Sequence, residues 1–420
     1  MKKLIYALTM ALSVLSCLGQ KITGYEQMNP GLWQKDLAYL ANKIDREFNS
    51  FDPSVKGLFA KEIAELSNRL ESVENYQMPG EIQRLLSLLN DGHTELNVGH
   101  HTVKYHRAPL SLYVFEGEFY VLAAQEPYQA LVGSKVAKIE GMPIADAFEK
   151  LKANMSRDNE MEYLHAGPGY IILTELLAYL GISKDPLTTT FTFDTKDGLV
   201  TQKFKGLTAE EYVNRPWIRL FEPNEQETPL YRSQPGVSYW YQYLPESKAF
   251  YFHFGRVNNQ KGKPSIRSFS KELMAELDKL KPEKLIIDLR LNNGGNYNLT
   301  KPIWEGIKKR DWLNQPGKVW AITGRRTFSA AASFCVFLKR HTKAKLIGEV
   351  SRTHPNQADN NEYMTLPNSG FLLEYTTRIK VKWPENPDAD RIPVDVTIAP
   401  TLEAYRQGRD LVMEYLLKKR

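Results

Sequence analysis

The sequence predicts an α/β protein with a mainly parallel sheet in its C-terminal half. Three observations carry this. Strand and helix patterns alternate from about residue 249 to 348, apolar residues at helical spacing fill the N-terminal region, and paired strand signals lie between the two. Composition fits a globular chain: the 420 residues are 42% hydrophobic and 25% charged, with a mean hydropathy of −0.44. Those values exclude disordered, collagen-like and polytopic membrane classes. The formal charge is +6, Lys2 and Lys3 contribute two of those charges, and no basic block marks a nucleic-acid surface. The two cysteines, Cys17 and Cys335, have no neighbouring Cys or His at ligand spacing. That excludes a disulfide framework and structural zinc, and no metal or cofactor is expected.

In chain order, residues 1–20 form a signal peptide, with Lys2 and Lys3 ahead of the apolar run Leu4–Leu15. The run is too short to span a bilayer, which takes about 20 helical residues. It ends in Val14-Leu15-Ser16-Cys17, which resembles a bacterial lipobox with Cys17 as the lipidation site. Export to the periplasm follows, or anchoring in the cell envelope with the lipid as the only membrane contact. Residues 21–104 are a helical module. Trp33, Leu37, Leu40, Ile44 and Phe48 make one apolar stripe, Phe59, Ile63, Leu66, Leu70 and Val73 a second. Ile82, Leu85, Leu86 and Leu89 make a third, opened by Pro79.

Residues 105–206 carry strand signals: Leu112–Phe115 and Phe119–Leu122 around Glu116-Gly117-Glu118, then Val132–Ile144 with its Gly turn, then a helix Ala145–Leu151. With Thr189–Phe193 and Val200–Phe204 they look like a PDZ domain, a module that binds extended peptide at a sheet edge. Residues 207–420 hold the alternating core. Its strands are Ala249–Phe254, Leu285–Leu289, Val319–Thr323 and Lys345–Gly348. Helices are expected along Phe269–Leu280, around Trp304 and after Phe328.

Two core segments could carry chemistry. Asp288-Leu289-Arg290-Leu291-Asn292-Asn293-Gly294-Gly295 runs a buried strand into a glycine pair, where backbone amides can approach a ligand closely. Such amides suit an oxyanion hole, although a plain turn has the same composition. In Thr323-Gly324-Arg325-Arg326-Thr327-Phe328-Ser329-Ala330, a strand ends and a helix begins at Ser329. A serine there can be a nucleophile beside the helix dipole, or simply an N-cap.

These two segments, Asp91-Gly92-His93-Thr94, and the tail from Ile347-Gly348-Glu349 through Leu366-Pro367-Asn368-Ser369-Gly370 occur together and in this order. In that combination the chain resembles the tail-specific, or C-terminal-processing, serine proteases, in particular their tricorn-core-like branch. The resemblance implies an endopeptidase with a crotonase/ClpP-like core acting on peptides or unfolded proteins. It implies Ser329 as nucleophile and the amides of Gly294 and Ala330 as oxyanion hole. It implies His93 as general base. The lysine that another branch places after the serine is replaced by His354, a rival base. The third group is open, with Asp390 first and Glu362 behind it.

Two departures accompany the likeness: Gly92 stands where that branch can carry a serine, and Val350-Ser351-Arg352-Thr353 replaces a Pro-Thr-Gly-Gly loop. The changed loop supports a second reading, a catalytically silent envelope protein that binds peptide or lipid on the same fold. A crotonase-type thioester enzyme is the third, disfavoured by the export signal.

Overall fold

The computed structural model describes residues 24–47, 52–222, 228–356 and 358–418. The leader, Cys17 and Phe48 lie outside them. No helix of the described residues is long and apolar enough to cross a membrane.

The three apolar stripes form helices Pro30–Glu47, Pro53–Asn68 and Met78–Ser87. The second begins with Pro53 behind an Asp52 side chain that caps the Ser54 N–H. The middle strands form one antiparallel sheet in which Leu110–Phe115, Glu118–Ala124, Lys135–Ile139, Thr188–Thr195 and Gly198–Lys205 are successive neighbours. Apolar packing runs without a break from Trp33 and Leu86 of the helices to Val121 and Phe204 of this sheet. Two helices that the sequence reading passed over, Met161–Tyr170 and Thr174–Tyr179, fill the gap ahead of Thr188.

The core sheet has six strands in the order Val396–Thr397, Lys345–Gly348, Val319–Thr323, Lys284–Asp288, Ala249–Phe254 and Tyr239–Leu244. The first five are parallel and the last is antiparallel. Ile266–Leu280, Lys301–Lys308 and Ala330–His341 pack on one face, and Val412, Met413 and Leu416 of the C-terminal helix cover the other. Burial on both faces explains why Leu285–Asp288 is almost continuously apolar.

A third sheet decides where the site forms. Hairpin strands Ala358–Thr365 and Leu372–Ile379 leave the core after residue 356, and Glu95–Leu96, just past His93, adds to the second of them. The hairpin tip is Leu366-Pro367-Asn368-Ser369-Gly370. Asp36 of the first helix, fully buried, accepts the Asn368 and Ser369 N–H groups and the Asn368 side-chain amide at 2.8–2.9 Å. Phe371 packs on Tyr25 and Trp33. Asp36→Ala would strand three donors, one buried and two part-buried, so urea unfolding is expected to show a loss of roughly 2–4 kcal/mol. A change under 0.5 kcal/mol would mean that the tip is held by its apolar contacts alone.

Candidate active site

The two core segments are laced together at the C-terminal ends of their strands. The Thr327 hydroxyl donates to the Leu289 carbonyl and accepts the Gly324 N–H, and the Phe328 N–H donates to the Asn292 carbonyl. Asn292, buried, donates through Nδ2 to the Phe254 carbonyl at 2.6 Å. This lacing forces the turn into Ser329, whose backbone has φ 53° and ψ −119°. A side chain at such angles costs about 1–3 kcal/mol and persists only when its surroundings impose it. The Ser329 side chain makes no capping bond, so the N-cap explanation does not account for it. Its own N–H donates to Thr353 Oγ1 at 3.0 Å.

Gly294 lies against this turn. A Cβ there would stand 2.8 Å from Ser329 Cβ and 3.0 Å from both the Ala330 nitrogen and the Phe328 carbonyl oxygen, and its φ is +101°. Only glycine fits. The Ala330 N–H, first in its helix, has no acceptor among the described residues, whereas the Gly294 N–H donates to Asn292 Oδ1 at 2.8 Å.

The sequence expectation for His93 meets the serine turn here. Its imidazole is 3% exposed and stacks on the Phe328 ring, centroids 4.2 Å apart and planes 24° apart. The Arg352 guanidinium stands 3.7 Å from the same centroid. Two planar groups that close cannot share one face, so Phe328 lies between them. Arg352 is held by an ion pair with buried Glu162. Folding thus places His93 against the residue that precedes Ser329.

Two buried carboxylates flank the imidazole. Asp91 Oδ1 is 3.9 Å from His93 Nδ1, and Asp91 Oδ2 accepts the Thr94 and Thr376 hydroxyls. Thr376 belongs to the hairpin, which fixes the turn. Asp158 accepts the Gly92 N–H on Oδ1 at 2.7 Å and the His354 N–H on Oδ2 at 3.2 Å. Burial first, and then repulsion from Asp91, push the Asp158 carboxyl up to about 7. A Cβ on Gly92 would come within 2.9 Å of Asp158 Oδ1, so Asp158 fills the space that a serine at position 92 would need. Asp91, His93 and Asp158 bring one potential ligand atom each within 4.8 Å of one another. The N–H and O–H donors already aimed at both carboxylates suit proton handling better than a cation.

Sequence reasoning missed Asp158. It lies in Arg157-Asp158-Asn159-Glu160, a polar run with no periodicity, and only its tertiary partners distinguish it. Other expected residues lie outside the cluster. His354 turns Nδ1 to the Ala389 carbonyl at 3.2 Å. The Asp390 carboxylate, 59% exposed, pairs with Arg391, and Glu362 is exposed on the hairpin. The changed loop is packed in, with Ser351, Arg352 and Thr353 all buried. Cys335 is fully buried and its thiol is pushed up to about 12 by desolvation, which suits a small apolar residue.

No family model and no curated protein matches the sequence. Among solved structures, mature CPAF aligns over 92% of this chain and 96% of its own at 13% identity, with a TM-score of 0.61. Mature CPAF complexed with lactacystin gives 92%, 97%, 13% and 0.62. The photosystem II D1 C-terminal processing protease aligns over 90% of this chain and 98% of its own at 14% identity, with a TM-score of 0.40. The likeness to CPAF establishes the fold: the α/β core expected from the sequence is the one observed.

Proposed function

We propose that this chain is an exported serine endopeptidase that cleaves peptides or unfolded proteins through an acyl-enzyme on Ser329. The observation that carries the reading is the strained, non-capping Ser329 next to the Phe328 ring on which a buried His93 stacks. A serine hydroxyl is a weak nucleophile until a base takes its proton. In this reading His93 removes the Oγ proton as oxygen attacks the peptide carbonyl. The resulting oxyanion is met by the free Ala330 N–H at the positive end of its helix, and by Gly294 once its N–H turns from Asn292. The imidazolium passes its proton to the leaving amine as the C–N bond breaks. Water, deprotonated by His93, then releases the acyl group and restores the serine. Asp91 and Asp158 are the groups placed to orient the imidazole and balance its charge. The basic and apolar start of the sequence supports export, with Cys17 as the lipidated residue.

A fluorophosphonate probe tests the reading. Labelling at Ser329, with turnover of unstructured peptides, is expected. Absence of both, with peptide binding retained, would favour the silent carrier.

Asp158 supplies a pH test. Its folded value, about 7, lies above the unfolded carboxylate value near 3.9. The folded state therefore binds the extra proton between these values, and Asp158 makes stability fall as pH rises through that window. Asp158→Asn should flatten the fall seen in urea unfolding between pH 4 and 8. An unchanged slope would show that another group titrates there.

A further inference from the structure

Building on the peptidase reading, we propose that Arg256 and Arg326 make the site select peptides with an acidic side chain beside the scissile bond. The two residues lie on different segments that meet at the serine turn. Arg326 is in the turn that leads into Ser329, three positions ahead of it. Arg256 directly precedes Val257, whose N–H donates to the Gly294 carbonyl and whose carbonyl accepts the Asn296 N–H. Since Gly294 abuts Ser329, the backbone at Arg256 reaches the serine turn from the glycine side and Arg326 belongs to the turn itself. Both residues reach solvent, Arg326 with part of its side chain desolvated, and neither has a carboxylate partner among the described residues.

The surrounding charges are otherwise matched. Arg325 pairs with Glu349 and Arg352 with Glu162. Asp91 and Asp158, on the His93 side, are buried and committed to donors there. His165 adds no charge, because burial and then repulsion from Arg352, Arg326 and Arg325 pull its imidazole down to about 3. Desolvation, followed by repulsion from Arg352 and Arg256, likewise draws Arg326 below the ordinary arginine range. Two guanidinium groups that repel each other and have no internal acid are a cost to the free protein. A substrate carboxylate removes it, because the planar fork of arginine binds carboxylate with two parallel hydrogen bonds.

The test uses matched fluorogenic peptides that differ only in Glu, Gln or Lys at each position flanking the cleaved bond. Wild type should favour Glu over Lys in kcat/KM by about tenfold or more at low salt, with the ratio shrinking at high salt. The Arg256→Glu/Arg326→Glu variant should invert the order. A ratio taken within one variant does not depend on the fraction of folded enzyme, so partial misfolding cannot imitate the inversion. Equal rates for the three peptides in wild type, or a ratio untouched by charge reversal, would overturn the proposal. Fluorophosphonate labelling separates the two levels. If Ser329 is labelled and the ratio is flat, only the selectivity fails. If Ser329 is not labelled, the peptidase reading fails, and fluorescence anisotropy of the same peptides then decides whether the arginines prefer Glu.

Discussion

On the peptidase reading, Ser329→Ala is expected to lower kcat/KM on unstructured peptides by about 10⁴-fold or more and to abolish fluorophosphonate labelling, because a nucleophile and its base act as one unit. Ser329→Gly should be equally inactive and should also be more stable. The residue is held at φ 53°, where glycine is at ease and serine is strained, so urea unfolding should show a gain of roughly 1 kcal/mol. Activity lost together with stability gained is the signature of strain kept for chemistry. A Ser329→Ala protein with a tenth or more of the wild-type rate would end the nucleophile assignment. A Ser329→Gly protein less stable than wild type would show that the turn is not strained.

His93→Ala is expected to give the second large effect, again about 10⁴-fold in kcat/KM. This variant also removes a buried ring from the Phe328 stack, so some stability is lost with it. His93→Gln keeps much of the volume and separates the two causes: it should regain stability but not rate. Added imidazole should restore part of the His93→Ala rate by occupying the vacated space. His354→Ala is the contrasting variant. Its Nδ1 faces the Ala389 carbonyl, and the rate should fall far less than for His93→Ala. Comparable losses in both variants would make His354 a participant, and a near-normal His93→Ala would remove His93 from the mechanism.

Much of this was legible in the sequence because periodicity reports burial. Trp33 to Ile44 and Phe269 to Leu277 recur at helical spacing, Leu285 to Leu289 run almost continuously apolar, and each lies on the expected element or at its end. That His93 would come up against the turn into Ser329 was legible only through resemblance, since spacing cannot tell a candidate nucleophile from an N-cap. What distinguishes them is a backbone angle and an unused side chain, and both exist only once Thr327 and Asn292 have laced the turn. Asp158 was invisible for a related reason. Its partners, Gly92 and His354, come from distant parts of the chain, and a short polar run has no period that could announce them. The hairpin Ala358–Ile379 also escaped, because exposed residues such as Asn361, Glu362 and Tyr363 dilute its strand signal.

That hairpin has a consequence for biosynthesis. The turn bearing His93 emerges from the ribosome well before the strand that clamps it, because Leu372–Ile379 begins 279 positions later in the chain. On the peptidase reading, a nascent chain therefore lacks the clamped centre until that strand has been made. A proteolytic nick between residues 357 and 371 would cut the hairpin that bears this clamp. On the peptidase reading, this late-arriving clamp would keep the chain inert while it and its neighbours are still unfolded.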